Sequence, residues 1–306
     1  MINKWKKIGL ILKPSDHSIS WWKSYGMDPT VIQINKSLHR IFFCGRNKEN
    51  KSIIGSADID LDNPSKILRV NKNPVLTPGL LGSFDDNGVT ASCAIKNKKD
   101  LYLYYIGWKP KSTTRYSLMT GLVISKNNGK SFKRYSRAPI LKLTDREPYS
   151  ILTAPYVLRV KNNQWLMWYV SCENWKNENL PIYNIKVAES KNGLDWDQKG
   201  KIAISLKKNE RAVARPSVFI ENRIFKMYYC HETKVGRYRI GYAESKDGYK
   251  WIRKDKDAGI DVSKNKNEWD SEMIEYPYII KYKSKYFMFY NGNSYGKDGV
   301  GLAIKS

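Results

Sequence analysis

Ile240-Gly-Tyr-Ala-Glu-Ser245-Lys-Asp-Gly248-Tyr-Lys-Trp251 decides the fold, because its pattern stands twice upstream, in Gly121-Leu-Val-Ile-Ser125-Lys-Asn-Asn-Gly129-Lys-Ser-Phe132 and Ile185-Lys-Val-Ala188-Glu-Ser190-Lys-Asn-Gly193-Leu-Asp-Trp196. Each copy reads as a strand, a tight turn and another strand. Asn-Gly and Asp-Gly favour the left-handed turn that matches strand twist, and the aromatic after the turn is placed to pack between sheets. An alternating aromatic run precedes each copy: Asp100-Leu-Tyr-Leu-Tyr-Tyr105, Gln164-Trp-Leu-Met-Trp-Tyr169 and Arg223-Ile-Phe-Lys-Met-Tyr-Tyr229. Two weaker copies are Arg40-Ile-Phe-Phe43 leading to Ile54-Gly-Ser-Ala57, and Lys285-Tyr-Phe-Met-Phe-Tyr290 leading to Gly299-Val-Gly-Leu-Ala303. Before each run another strand begins, at Asp28-Pro29, Thr90-Ala91, Ala154-Pro155, Arg215-Pro216 and Tyr276-Pro277. Proline lacks an N–H donor and suits a strand start, so these positions mark where innermost strands emerge from loops.

Five units with room for four strands each predict an all-β chain, a five-bladed β-propeller of four-stranded antiparallel blades. One domain spans 1–306, with blades at about 28–76, 86–140, 152–204, 213–260 and 274–306. The fifth unit stops after its third strand. Trp5-Lys6-Lys7-Ile8 resembles Trp251-Ile-Arg-Lys254 and Trp196-Asp-Gln-Lys199, so residues 4–12 are expected to supply the missing strand and close the ring.

The 306 residues carry 54 Lys plus Arg against 29 Asp plus Glu, a net charge of +25, with 41% hydrophobic residues. That is the composition of a folded chain with a large core. No run approaches the roughly 18 apolar residues of a membrane span, and Ile8 to Leu12 is too short for a signal-peptide core, so the expected location is the cytoplasm. Cys44, Cys93, Cys172 and Cys230 lie far apart in apolar segments and read as buried free thiols. Lysines are scattered over turns rather than gathered in a basic block, which argues against nucleic acid. An anionic glycan or a nucleotide-linked sugar remains a fitting partner. No nucleotide loop or HExxH motif occurs and no cofactor is called for; Ca²⁺ held by carbonyls and carboxylates in the channel is the one metal the pattern allows.

The Asp28-Pro-Thr-Val start, the Leu-Tyr-Tyr and Met-Trp-Tyr runs and the Ala-Glu-Ser-Lys-Asp-Gly-x-x-Trp hairpins resemble the five-bladed glycosidase propellers, the arabinanase/xylosidase, fructosidase and mannoside-phosphorylase group, nearly from end to end. Proteins of this look also occur among bacterial surface-polysaccharide functions. Ser125-Lys-Asn-Asn-Gly-Lys-Ser-Phe132 is similar to the structural box of sialidases too, but those use six blades. The resemblance implies glycosidase-like chemistry, with Asp28 in the place of the base or nucleophile. It also implies a general-acid glutamate near the inner strand of blade 3, where this chain has Leu152-Thr-Ala-Pro155 and, upstream, Glu147. A noncatalytic glycan-binding propeller and a sugar-transferring or phosphorolytic enzyme are the alternatives.

Glycoside hydrolysis needs two carboxyl groups across the scissile bond. The expected catalytic set is Asp28 with Asp86 and Glu272. Asp86 comes from the glycine-rich turn before blade 2, and Glu272 from the acidic stretch Glu268-Trp-Asp270-Ser-Glu272-Met-Ile-Glu275 before blade 5. Trp22 and Trp108 are candidate sugar platforms. Arg46 and Arg215 are candidate clamps for a carboxylate or phosphate. Asp85, His231 and Asp270 complete the expected substrate contacts.

Overall fold

The computed structural model describes residues 4–234 and 236–306. Among these residues an N-terminal strand β1 (Lys6–Leu12) is followed by nineteen more. They are β2 (Ser24–Asn35), β3 (Leu38–Arg46), β4 (Ser52–Asp60) and β5 (Ile67–Val70); β6 (Gly88–Asn97), β7 (Asp100–Pro110), β8 (Tyr116–Ser125) and β9 (Lys133–Arg134); β10 (Ile151–Lys161), β11 (Gln164–Asn177), β12 (Leu180–Ser190) and β13 (Asp197–Ile204); β14 (Val213–Glu221), β15 (Ile224–Lys234), β16 (Arg237–Ser245) and β17 (Ile252–Arg253); and β18 (Glu275–Tyr282), β19 (Lys285–Asn291) and β20 (Val300–Lys305). The first four groups each pair antiparallel in chain order. The last is completed by β1, which pairs antiparallel with β20. The first strands of successive units touch in series, β2 to β6 to β10 to β14 to β18, and β18 packs against β2.

The repeated residues explain how the units hold together. In the three hairpins the Ser125, Ser190 and Ser245 hydroxyls accept the N–H of Gly129, Gly193 and Gly248 at 2.8, 2.9 and 2.9 Å, which fixes the turn. Neighbouring units reach into these turns. Tyr104 Oη donates to the Gly193 carbonyl at 2.6 Å, and Trp168 Nε1 to the Gly248 carbonyl at 2.8 Å. The aromatic that follows each turn meets the second strand of the preceding unit edge to face: Phe42 with Phe132 at 5.5 Å, Tyr104 with Trp196 at 6.2 Å and Trp168 with Trp251 at 5.9 Å. Trp5 makes the same contact with Tyr228 at 5.6 Å.

A second repeat is polar. Tyr105, Tyr169, Tyr229 and Tyr290 point their hydroxyls at Asp85, Glu147, Asp255 and Asp270. A cation also reaches each carboxylate: Arg134 Nε at 2.9 Å from Asp85, Lys186 Nζ at 3.6 Å from Glu147, Arg253 Nη2 at 2.9 Å from Asp255 and Lys7 Nζ at 2.7 Å from Asp270. The first unit has Phe43 at this place and fills it with the Trp22 ring at 4.5 Å.

Among the described residues no helix is long and apolar enough to cross a membrane. All four cysteines are free and buried.

Candidate active site

Every first strand breaks its pairing register at one level, between Met27 and Thr30, Ala91 and Cys93, Thr153 and Tyr156, Ala214 and Ser217, and Glu275 and Tyr278. In four of the five the residue before the proline has a left-handed backbone: Asp28 at φ 54°, Ala154 at 46°, Arg215 at 56° and Tyr276 at 54°. Residues with a Cβ avoid this region, and a following proline disfavours compact backbones further, so the bulge holds each one against its preference. All four line one cavity of about 490 Å³.

Asp28 brings a carboxylate to the wall of that cavity. Its backbone N–H donates to Asn291 Oδ1 at 2.9 Å, while Asn291 Nδ2 donates to the Gly26 and Gly299 carbonyls, so β19 fixes the strand that presents it. Arg215 Nε lies 2.9 Å from Asp28 Oδ1. That guanidinium is itself tied by Nη1 to Ser92 Oγ at 2.6 Å and by Nη2 to the Ala91 carbonyl at 2.8 Å. Burial raises the Asp28 pKa, and the charges of Arg215 and Arg46 oppose the rise without cancelling it.

Glu275, one residue before Tyr276, is fully buried, and neither carboxylate oxygen makes a hydrogen bond of good geometry. Burial, followed by the Asp28 charge, pushes its pKa well above the ordinary 4.5, with Tyr276 and Arg215 acting the other way. It stands behind the cavity rather than on its wall. The wall's other carboxylate is Glu232, at the end of β15, whose Oε1 accepts from Arg211 Nη2 at 2.7 Å and from the Gly236 N–H at 2.8 Å. Nothing in the sequence pattern singles out Glu232, which adjoins the more conspicuous His231.

The cavity gathers Asp28, Arg46, Trp108 and Arg215 from the expected set. The other six lie elsewhere, each for a visible reason. Asp85 and Asp270 are the buried partners of Tyr105 and Tyr290. Asp86 closes its own turn, accepting the Gly82 N–H at 2.8 Å, with Lys109 at 3.4 Å. Glu272 is exposed and pairs with Arg237, so Glu232 replaces it as the second carboxylate of the cavity. His231 Nδ1 faces Glu210 Oε1 at 3.3 Å beside Arg253. Trp22 is buried against Phe43, and a Cβ on Gly45 would stand 2.3 Å from its Cδ1, so this glycine makes room for the ring. Glu147, expected as a loose substitute acid, is bound to Tyr169 and Ser171. Among the described residues no three His, Cys, Asp or Glu side chains are grouped to hold a metal ion.

The repeats, the bulged first strands and the cavity between them give the chain the fold of the β-propeller glycoside hydrolases. The sequence profile of the glycosyl hydrolases family 32 N-terminal domain matches residues 71–220. Two proteins of Mycobacterium tuberculosis, uncharacterized protein MT1551 of strain CDC 1551 and uncharacterized protein Rv1502 of strain H37Rv, are each 35% identical over 303 residues, 98% of either chain. The chain belongs to the family of these mycobacterial proteins. Among solved structures, one described as a glycoside hydrolase superposes with a TM-score of 0.76 at 17% identity, covering 99% of this chain and 92% of its own. A thermostable family-43 glycoside hydrolase gives 0.66 at 16% identity over 92% and 89%. The Bombyx mori GH32 β-fructofuranosidase BmSUC1 gives 0.63 at 15% over 98% of this chain and 61% of its own.

Proposed function

We propose that this protein is a glycosidase-like enzyme acting on a sugar or oligosaccharide in bacterial surface-polysaccharide metabolism, with Asp28 as its reactive carboxylate. The carrying observation is the placement of Asp28. It lines the cavity with a left-handed backbone, anchored on one side by Asn291 and on the other by Arg215. A carboxylate held that way keeps a single geometry, which a nucleophile or base needs. Its raised pKa makes it a stronger base than a solvent-exposed aspartate. Glu232 is the second carboxyl group of the reading, and the Trp108 and Tyr116 rings offer apolar faces for the sugar.

The same reading takes the five strand groups as the blades of a five-bladed propeller closed by β1. The serial contacts of the first strands and the Trp5–Tyr228 contact support it. Four free cysteines fit a reducing compartment, and the reading includes the cytoplasm.

Asp28→Asn tests it against a panel of aryl glycosides and oligosaccharides. The expected result is a rate loss of about 10²- to 10⁴-fold with the fold intact. One observation favours a second reading, a noncatalytic glycan binder: the third unit lines the cavity with Ile151, Thr153, Ala154 and Val170 and contributes no carboxylate. Wild-type protein that binds oligosaccharides but turns none over, with Asp28→Asn changing affinity only a few-fold, would establish the binder instead.

A further inference from the structure

Four guanidinium groups, Arg46, Arg115, Arg211 and Arg215, line the cavity against two carboxylates, Asp28 and Glu232. Arg215 is paired with Asp28 at 2.9 Å and Arg211 with Glu232 at 2.7 Å. For Arg46 and Arg115 no carboxylate lies within ion-pair distance among the described residues. Arg46 is held by two side-chain contacts, whereas Arg115 is exposed. Arg46 Cζ stands 4.2 Å from the centre of the Tyr25 ring, and its Nη1 donates to Asn50 Oδ1 at 3.0 Å. Arg115, between β7 and β8, has its backbone N–H on the Glu178 carbonyl at 2.7 Å and its Cζ 5.8 Å from the Tyr116 ring. Stacking on a ring holds the guanidinium plane and leaves its edge donors free for an incoming group. Trp108 and Thr153 stand on the same wall.

We propose that the substrate is an anionic sugar, and that Arg46 and Arg115 bind its oxyanion, a phosphate ester or a uronic carboxylate, while the ring lies along Trp108 and Tyr116. A cavity with four guanidinium groups against two carboxylates favours a ligand that supplies the missing charge, and the guanidinium fork matches both oxyanions bidentately. The inference rests on the reading of the cavity as a sugar site.

Calorimetric titration of the whole protein tests it, with glucose, glucuronate and glucose 6-phosphate as probes and the galactose and mannose counterparts beside them. At about 20 mM salt at least one anionic sugar should bind roughly tenfold or more tighter than its neutral parent, and the gap should narrow at about 0.5 M salt. The tighter of the two anionic probes tells phosphate from carboxylate. Arg46→Gln/Arg115→Gln should erase the gap while leaving the unfolding temperature in place. The proposal is overturned if neutral and anionic probes bind alike, if none binds, or if the double variant keeps the preference. Neutral oligosaccharides turned over in an Asp28-dependent way, with no anionic preference, would overturn this inference alone and leave the glycosidase reading standing.

Discussion

A carboxyl group buried without hydrogen bonds costs free energy unless it keeps its proton, and Glu275 is in that position. Its raised pKa means that the folded chain holds a proton which the unfolded chain releases near the ordinary 4.5. The contribution to stability is therefore full below that value and falls as pH rises from there toward the raised folded-state value. Glu275→Gln keeps the shape without the titration. Its stability relative to wild type should climb by about 1.4 kcal/mol per pH unit through that window. Urea unfolding of both proteins across the acid-to-neutral range checks this, and parallel pH profiles would show that Glu275 titrates normally. The same residue shows where sequence reading stops. Asp270, Glu272 and Glu275 all lie within a few residues of a strand start, and alternation along a strand would sort them by face. The bulge at Tyr276 breaks that alternation, so spacing alone does not tell that Glu275 stands behind the cavity and that none of the three lines it. The cavity position of Asp28 was legible because its Asp-Pro pair marks where an innermost strand emerges from a loop.

At the scale of strands and loops, the hairpins were legible because their chemistry is local: Ser, Asn or Asp, and Gly within five residues make the turn, and the aromatic after it makes the contact with the preceding unit. The tyrosine–carboxylate pairs were not, since Asp85 and Tyr105 are joined only by the fold. These pairs predict opposite effects on stability and function. Asp85→Ala leaves the Tyr105 hydroxyl and the Arg134 guanidinium without their acceptor, and should destabilise by about 2–3 kcal/mol in chemical denaturation. Sugar affinity should stay at the wild-type level, because Asp85 lies outside the cavity. A lost affinity with unchanged stability would return Asp85 to the binding residues. The first unit supplies the converse: Phe43 is fully buried beside Trp22, and Phe43→Tyr would bury a hydroxyl that no carboxylate receives. That change should cost about 1–3 kcal/mol, measured in the same way.

For the whole molecule, β1 joins the two ends of the chain. Segments near a terminus ordinarily fray and tolerate substitution. Trp5 stands close to the terminus yet is 6% exposed, with its ring against Tyr228, its Nε1 donating to the Tyr228 hydroxyl at 3.3 Å and the Lys305 ammonium 5.0 Å from its centre. Two positions on, Lys7 lies 2.7 Å from the buried Asp270 carboxylate. If the last unit borrows its fourth strand from the N-terminus, Trp5→Ala should be as damaging as the internal change Trp251→Ala, about 3–5 kcal/mol. Removing residues 1–12 should expose the edge of β20 and leave Asp270 without its cation, so the shortened chain should fail to remain a folded monomer. Urea denaturation of the two tryptophan variants and size-exclusion chromatography of the shortened chain test both statements. A Trp5→Ala cost under about 1 kcal/mol, with a shortened chain still unfolding in one cooperative transition, would mean that β20 tolerates a free edge and that β1 only decorates it.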